Sequence, residues 1–81
     1  MLTPEQERQY NTTLDQCLQR AQANIAIVSK RRLSKEQQGV MAQVQSFMEQ
    51  SESTRKTNLT AAKSLAERAD VLARELERSV K

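Results

Sequence analysis

Cys17 is the one side chain in this sequence that is an intrinsically strong nucleophile, and no histidine stands anywhere in the chain to act as its base. Cysteine attacks as the thiolate, which forms at neutral pH only beside a cation, a base or a helix N-terminus. Here it falls between Leu14 and Leu18 at helical spacing. That placement predicts burial, a raised pKa and a role in the core. A single cysteine cannot form an internal disulfide, and without histidine a zinc site of His and Cys ligands is excluded. The closest carboxylate pairs are Glu49 with Glu52, Glu67 with Asp70, and Glu75 with Glu77. They alternate with Arg68, Arg74 and Arg78, so the pattern predicts solvated, locally ion-paired helix faces rather than a poised acid and base. Gly39 is the only glycine, which leaves no glycine-rich loop to cradle a phosphate. The expectation is a chain with no catalytic residue, no cofactor, no metal and no small-molecule substrate.

One charge feature rises above the background: Lys30, Arg31 and Arg32 in succession, with Lys35 close behind. If three helices fold back on one another, the third ends at the same pole and adds Arg74, Arg78 and Lys81, offset by Glu36, Glu75 and Glu77. Cations at helix C-termini complement the macrodipole, which is one reason for such a cluster. The other is an anionic partner such as nucleic acid or lipid headgroups. Thirteen basic residues interleaved with ten acidic ones leave a formal charge of only +3. This balance, together with the lack of aromatic residues near the cluster, argues against a dedicated nucleic-acid binder.

The elements that must carry these residues are helices. One Gly, one Pro, one Phe, one Tyr and no Trp, with abundant Ala, Gln, Glu, Arg and Leu, favour helix over turn and strand. Thr3 before Pro4, with Gln6 three residues after the threonine, is a helix start. Tyr10, Leu14, Cys17, Leu18, Ala21, Ile25 and Val28 then recur on one face, while Glu7, Arg8, Asp15, Gln16, Gln19 and Arg20 face water. This helix is expected to reach about Arg32. Ser34 followed by Gln37 repeats the capping arrangement and opens a second helix, whose apolar face is Val40, Met41, Val44, Phe47 and Met48. Residues 51–60 are rich in Ser, Thr and Asn and supply no apolar face, which places a turn near Lys56 to Asn58. Ala62, Leu65, Ala66, Ala69, Leu72, Ala73, Leu76 and Val80 form a third stripe, and its alanines permit close approach of a neighbour.

These signals predict a single all-α domain over residues 1–81, an antiparallel three-helix bundle with helices at about 4–32, 35–55 and 59–80. A competing arrangement rests on a heptad frame. Met41, Met48, Arg55, Ala62, Ala69 and Leu76 lie seven apart, as do Val44, Ser51, Asn58, Leu65 and Leu72. A continuous helix over 35–80 would be roughly 70 Å long and would need a second chain to cover it, as an intertwined coiled-coil dimer.

Three segments carry a family resemblance: Ser34-Lys-Glu-Gln-Gln, Gln45-Ser-Phe-Met-Glu-Gln, and Leu65-Ala-Glu-Arg-Ala-Asp-Val-Leu-Ala-Arg-Glu-Leu76. Over about Leu33 to Leu76 the chain resembles a helical segment found near the C-termini of many uncharacterised acidobacterial proteins, many of which look like envelope lipoproteins. The resemblance implies a turn between the two matching helices, where the family usually shows a Gly-Asp pair and this chain has Lys56-Thr57-Asn58. It also implies an envelope or periplasmic setting, and a chain that is part of a longer protein. The Ala-rich last helix looks like half of a tetratricopeptide-type repeat, but one hairpin is too little for a repeat array.

No apolar run approaches the roughly 20 residues needed to span a bilayer, so the chain as given is expected to be soluble. Thin-cored and without catalytic side chains, it is expected to act as a non-enzymatic interaction or assembly module, with a protein partner or a second copy of itself. A small basic nucleic-acid-binding protein is the alternative.

Overall fold

The computed structural model describes residues 2–80, and Lys81, expected at the basic pole, lies outside them. Three helices follow one another: α1 (Pro4–Val28), α2 (Lys35–Thr54) and α3 (Leu59–Ser79). The two expected capping boxes are both formed. Thr3 Oγ1 accepts from the Gln6 amide at 3.1 Å while the Gln6 side chain accepts from the Thr3 amide at 3.0 Å, and Ser34 with Gln37 repeats this at 3.1 and 2.9 Å. Asn58 caps α3, its Oδ1 accepting from the Ala61 amide at 3.1 Å.

The helix ends are closed without glycine. No described residue has a positive φ, and the C-cap residues Ser29, Arg55 and Val80 all keep right-handed backbone. Shorter i→i+3 bonds finish the turns instead, such as Lys30 N to Ile27 O at 3.3 Å and Arg31 N to Val28 O at 3.0 Å. α1 therefore stops at Val28, short of the expected Arg32. Val28 is the last residue of α1 with core to bury, and Ser29 then turns its hydroxyl onto the Ala26 carbonyl at 2.9 Å. Lys30, Arg31 and Arg32 have no apolar face that would hold them helical, so they form the loop.

At the other end the chain folds back. The amides of Thr57 and Asn58 both donate to the Thr54 carbonyl, at 3.0 and 2.8 Å, and α3 begins at Leu59. The expected turn at Lys56 to Asn58 is present and the continuous helix over 35–80 is not formed. The heptad frame that suggested it spans two antiparallel helices.

α3 is the central helix. It packs on both α1 and α2, which scarcely touch each other. It runs parallel to α1 and antiparallel to α2, in a body of 44 × 17 × 14 Å. Leu14 and Cys17 of α1 pack with Ala62 and Ala66, and farther along Ala21 and Val44 pack with Ala69 and Ala73. These four alanines of α3 are fully buried, and Ala61, the fifth on this helix, is half-buried. Small side chains along its inner line let one helix take a close neighbour on either side, which is why the Ala-rich helix is the middle one. Leu65 and Leu72, expected at the centre of the core, are only half-buried at its flank, whereas Leu14 and Leu76 are enclosed. Ser51 is also enclosed. Its hydroxyl donates to the Ala62 carbonyl at 2.7 Å, so the elbow between α2 and α3 is packed through a polar residue satisfied in place.

Candidate interaction surfaces

Of the three carboxylate pairs expected to face water, one is split. Asp70 is buried in the α1–α3 seam with its side chain only 6% exposed, while Glu67 stays at the surface beside Lys63, 3.4 Å away. Arg20, across the seam, reaches Asp70 Oδ2 with Nε at 3.2 Å and with its terminal nitrogen at 3.0 Å. The other carboxylate oxygen, Oδ1, has no hydrogen-bond partner among the described residues, and Arg74 Nε stands 4.0 Å from it. Cys17 completes the group as a 3.6 Å acceptor from Arg20. Burial, and after it the charge of Asp70, push the Cys17 thiol above its ordinary value of 9.0, which holds it as the neutral thiol at neutral pH. Cysteine, arginine and carboxylate thus meet in space, but the arrangement favours an inert thiol and an ion pair bridging two helices. Sequence spacing hinted at this only through Asp70 lying next to the alanine stripe.

Two of the openings on the described bundle are grooves that run between helices. One lies between α1 and α2, where their weak mutual contact leaves an opening lined by Leu18, Gln22, Met48, Glu49, Glu52 and Ser53, with a volume of about 630 Å³. Ile25 and Met41 are half-buried on the same sides of their helices, one or two turns along. The other groove runs between α2 and the outer side of α3, about 530 Å³, walled by Phe47, Val71 and Leu72 and edged by Glu67, Arg68 and Glu75.

The six candidate cations fall into two groups. Lys30, Arg31 and Arg32 occupy the α1–α2 loop and Lys35 opens α2, all of them exposed. Arg74 and Arg78 lie on α3, also exposed, where they share a shallow hollow with Val71 and Glu75. The α2 start and α3 end do share a pole, since Gln37 Nε2 donates to the Ser79 carbonyl and hydroxyl at 3.3 and 3.2 Å. α1 has no basic residue in its last turn, so the loop cations follow the helix end instead of sitting within it. From Gln16 to Lys35 the chain holds five basic residues and no acidic one. The remainder therefore carries a net charge of −2, the chain's +3 less those five. Among the described residues, none of the four loop-pole cations forms an ion pair.

No helix among the described residues is long and apolar enough to cross a membrane. Comparison with protein-family models, curated proteins and solved structures finds no match, so the surfaces themselves carry the functional reading.

Proposed function

We propose that this chain is a non-enzymatic helical interaction module that receives an amphipathic helix of another protein chain in the groove between α1 and α2. The observation that carries this reading is the unclosed side of the bundle: two helices pack on α3 and scarcely on each other, leaving Leu18 and Met48 lining an open slot. A fourth helix laid there would complete the square of a four-helix bundle. Recognition would follow the helix-in-groove mode, with anchors at i, i+3, i+4 and i+7 of the incoming segment. Methionine suits such a wall because its unbranched, polarizable side chain adapts to the partner's shape. The acidobacterial resemblance is compatible with an assembly role in the cell envelope, and the incoming helix can belong to a second copy or to a different protein.

The self-assembling form is tested by light scattering on the purified chain across a wide concentration range. An oligomer that dissociates in the Leu18→Gln, Met48→Gln double variant, with helicity retained, supports the groove. A strictly monomeric protein at millimolar concentration removes self-assembly and leaves a heterologous helix as the occupant. A panel of amphipathic helical peptides with varied flanking charge then tests that form, and failure of every peptide to compete at Leu18 and Met48 would remove the groove reading itself.

A further inference from the structure

We infer that the pole formed by the α1–α2 loop docks on an anionic lipid surface, with Lys30, Arg31, Arg32 and Lys35 meeting the headgroups and Ile27 entering the interface beside them. Two independent observations converge on this pole. The first is charge. Four exposed cations lie within six consecutive residues, free of ion pairs among the described residues. Glu36 is the one exposed acid adjoining them in sequence, and on α3 Glu75 and Glu77 offset Arg74 and Arg78. The helix dipoles do not reverse the balance. Two C-termini and one N-terminus at this pole contribute a net of roughly half a negative charge. The pole thus stays positive by about two to three charges.

The second observation is apolar exposure. Ile27 is 49% exposed, one of two large hydrophobic residues so placed among the described residues, and it lies one turn before the cluster. Its carbonyl receives the Lys30 amide at 3.3 Å, which fixes the loop against it. Leu33, inside the basic run, is half-buried. Cations at headgroup level with an aliphatic side chain beside them are what an interfacial membrane contact requires. A nucleic-acid backbone would use the cations and leave Ile27 without a role. Stacking on bases would need aromatic rings, and the two in this chain lie elsewhere: the Tyr10 ring carries Lys63 Nζ 5.0 Å from its centroid, and Phe47 packs against the core. The loop pole and the groove at Leu18 and Met48 are separate surfaces, so one chain can hold a partner helix while resting on a membrane.

The test is sedimentation of the intact chain with phosphatidylcholine vesicles, with and without phosphatidylserine at about one lipid in three. Binding is expected only to the anionic vesicles, weakening as salt rises. Each cation at such a surface is worth about fivefold in affinity, so Arg31→Gln with Arg32→Gln should reduce binding by about 25-fold and flatten the salt dependence. Ile27→Ser should reduce it by about threefold to tenfold and leave the salt dependence unchanged. Circular dichroism of both variants, altered only at exposed positions, should match that of the parent. Failure to bind anionic vesicles at low salt, or binding that ignores the arginine pair, would overturn the inference. Equally, tighter binding to duplex DNA than to vesicles, insensitive to Ile27→Ser, would show the pole to be a nucleic-acid contact instead.

Discussion

At the α2–α3 elbow the Arg55 guanidinium meets three groups, whereas at the opposite pole Arg31 and Arg32 extend into solvent. Arg55 donates to Asn11 Oδ1 at 3.0 Å, lies 2.8 Å from Asp15 and 3.9 Å from Glu52, and is only 27% exposed. It ties α1 to the elbow, and its hydrogen-bonded contact with Asp15 raises its own pKa. The difference between the poles follows from where the acids stand. The elbow faces the acidic side of α1 at Asp15, while the loop belongs to a stretch from Gln16 to Lys35 without a carboxylate. The same residue type becomes a structural clamp at one end and, at the other, a solvated charge with no ion pair among the described residues.

The largest effect should come from the apolar core, which both ends share. Leu14, packed with Ala62 and Ala66 toward the elbow, and Leu76, near the loop pole, are both enclosed. Leu14→Ala and Leu76→Ala should each destabilise the fold by about 2 to 5 kcal/mol in urea unfolding. Similar losses at the two sites would confine the contrast between the poles to electrostatics. A silent Leu76→Ala would mean that the loop end is loosely packed and that its charges cannot be compared with those of the elbow. Next in size is Arg55→Gln, expected to cost about 1 to 2 kcal/mol, less than a fully buried pair because Asp15 is half exposed. A double-mutant cycle with Asp15→Asn isolates the pair, and a coupling energy indistinguishable from zero would reduce the clamp to a surface contact of no energetic consequence.

Between the poles, Cys17 provides a pH probe of the α1–α3 seam. Its folded pKa is raised above 9.0, so the folded state binds the thiol proton more tightly than the unfolded chain. The resulting stability is fully present below pH 9 and is lost as pH rises through the folded pKa, by at most about 1.4 kcal/mol per pH unit. Cys17→Ala should remove that alkaline loss, and the parent thiol should react slowly with a thiol reagent until the protein is denatured. Equal reaction rates in native buffer and denaturant would place Cys17 outside the seam.

Much of the architecture was legible because local signals agreed with one another. Thr3-Pro4-Gln6 and Ser34-Gln37 marked two helix starts, and both capping boxes form. The polar run near Asn58 marked the turn, since such side chains bond to nearby backbone more readily than they fill an apolar face. The end of α1 was less visible. No glycine or proline announces it, and only the exhaustion of core contacts after Val28 stops the helix. Asp70 and Ser51 were missed for a related reason: sequence periodicity sorts residues by polarity, and each is a polar residue made compatible with burial by a partner on another helix. Arg20 lies fifty residues from Asp70 and Ala62 eleven from Ser51. Neither distance has a periodic signature. The candidate cations were recognised as a set, but their division into an acid-free loop and an acid-interleaved end of α3 depended on where α1 stops.

The smallest stability effect should come from the loop pole itself, and it sharpens the comparison most. Arg31→Gln and Arg32→Gln remove exposed charges that form no ion pair among the described residues, so each should change stability by no more than about 0.5 kcal/mol. The sign is informative as well. If mutual repulsion among Lys30, Arg31, Arg32 and Lys35 dominates, the substitutions should stabilise slightly, and more at low salt than at high salt. If the cations instead complement the exposed carbonyls at the end of α1, the substitutions should destabilise by a similar amount. Their placement after Ser29, outside the last turn of α1, favours repulsion, and a small gain in midpoint at low ionic strength is the expected result. A loss greater than about 1 kcal/mol would show that the loop cations are structural after all, as Arg55 is. Charges that leave the fold indifferent to their removal are available for a partner, which is the property the lipid inference requires of them.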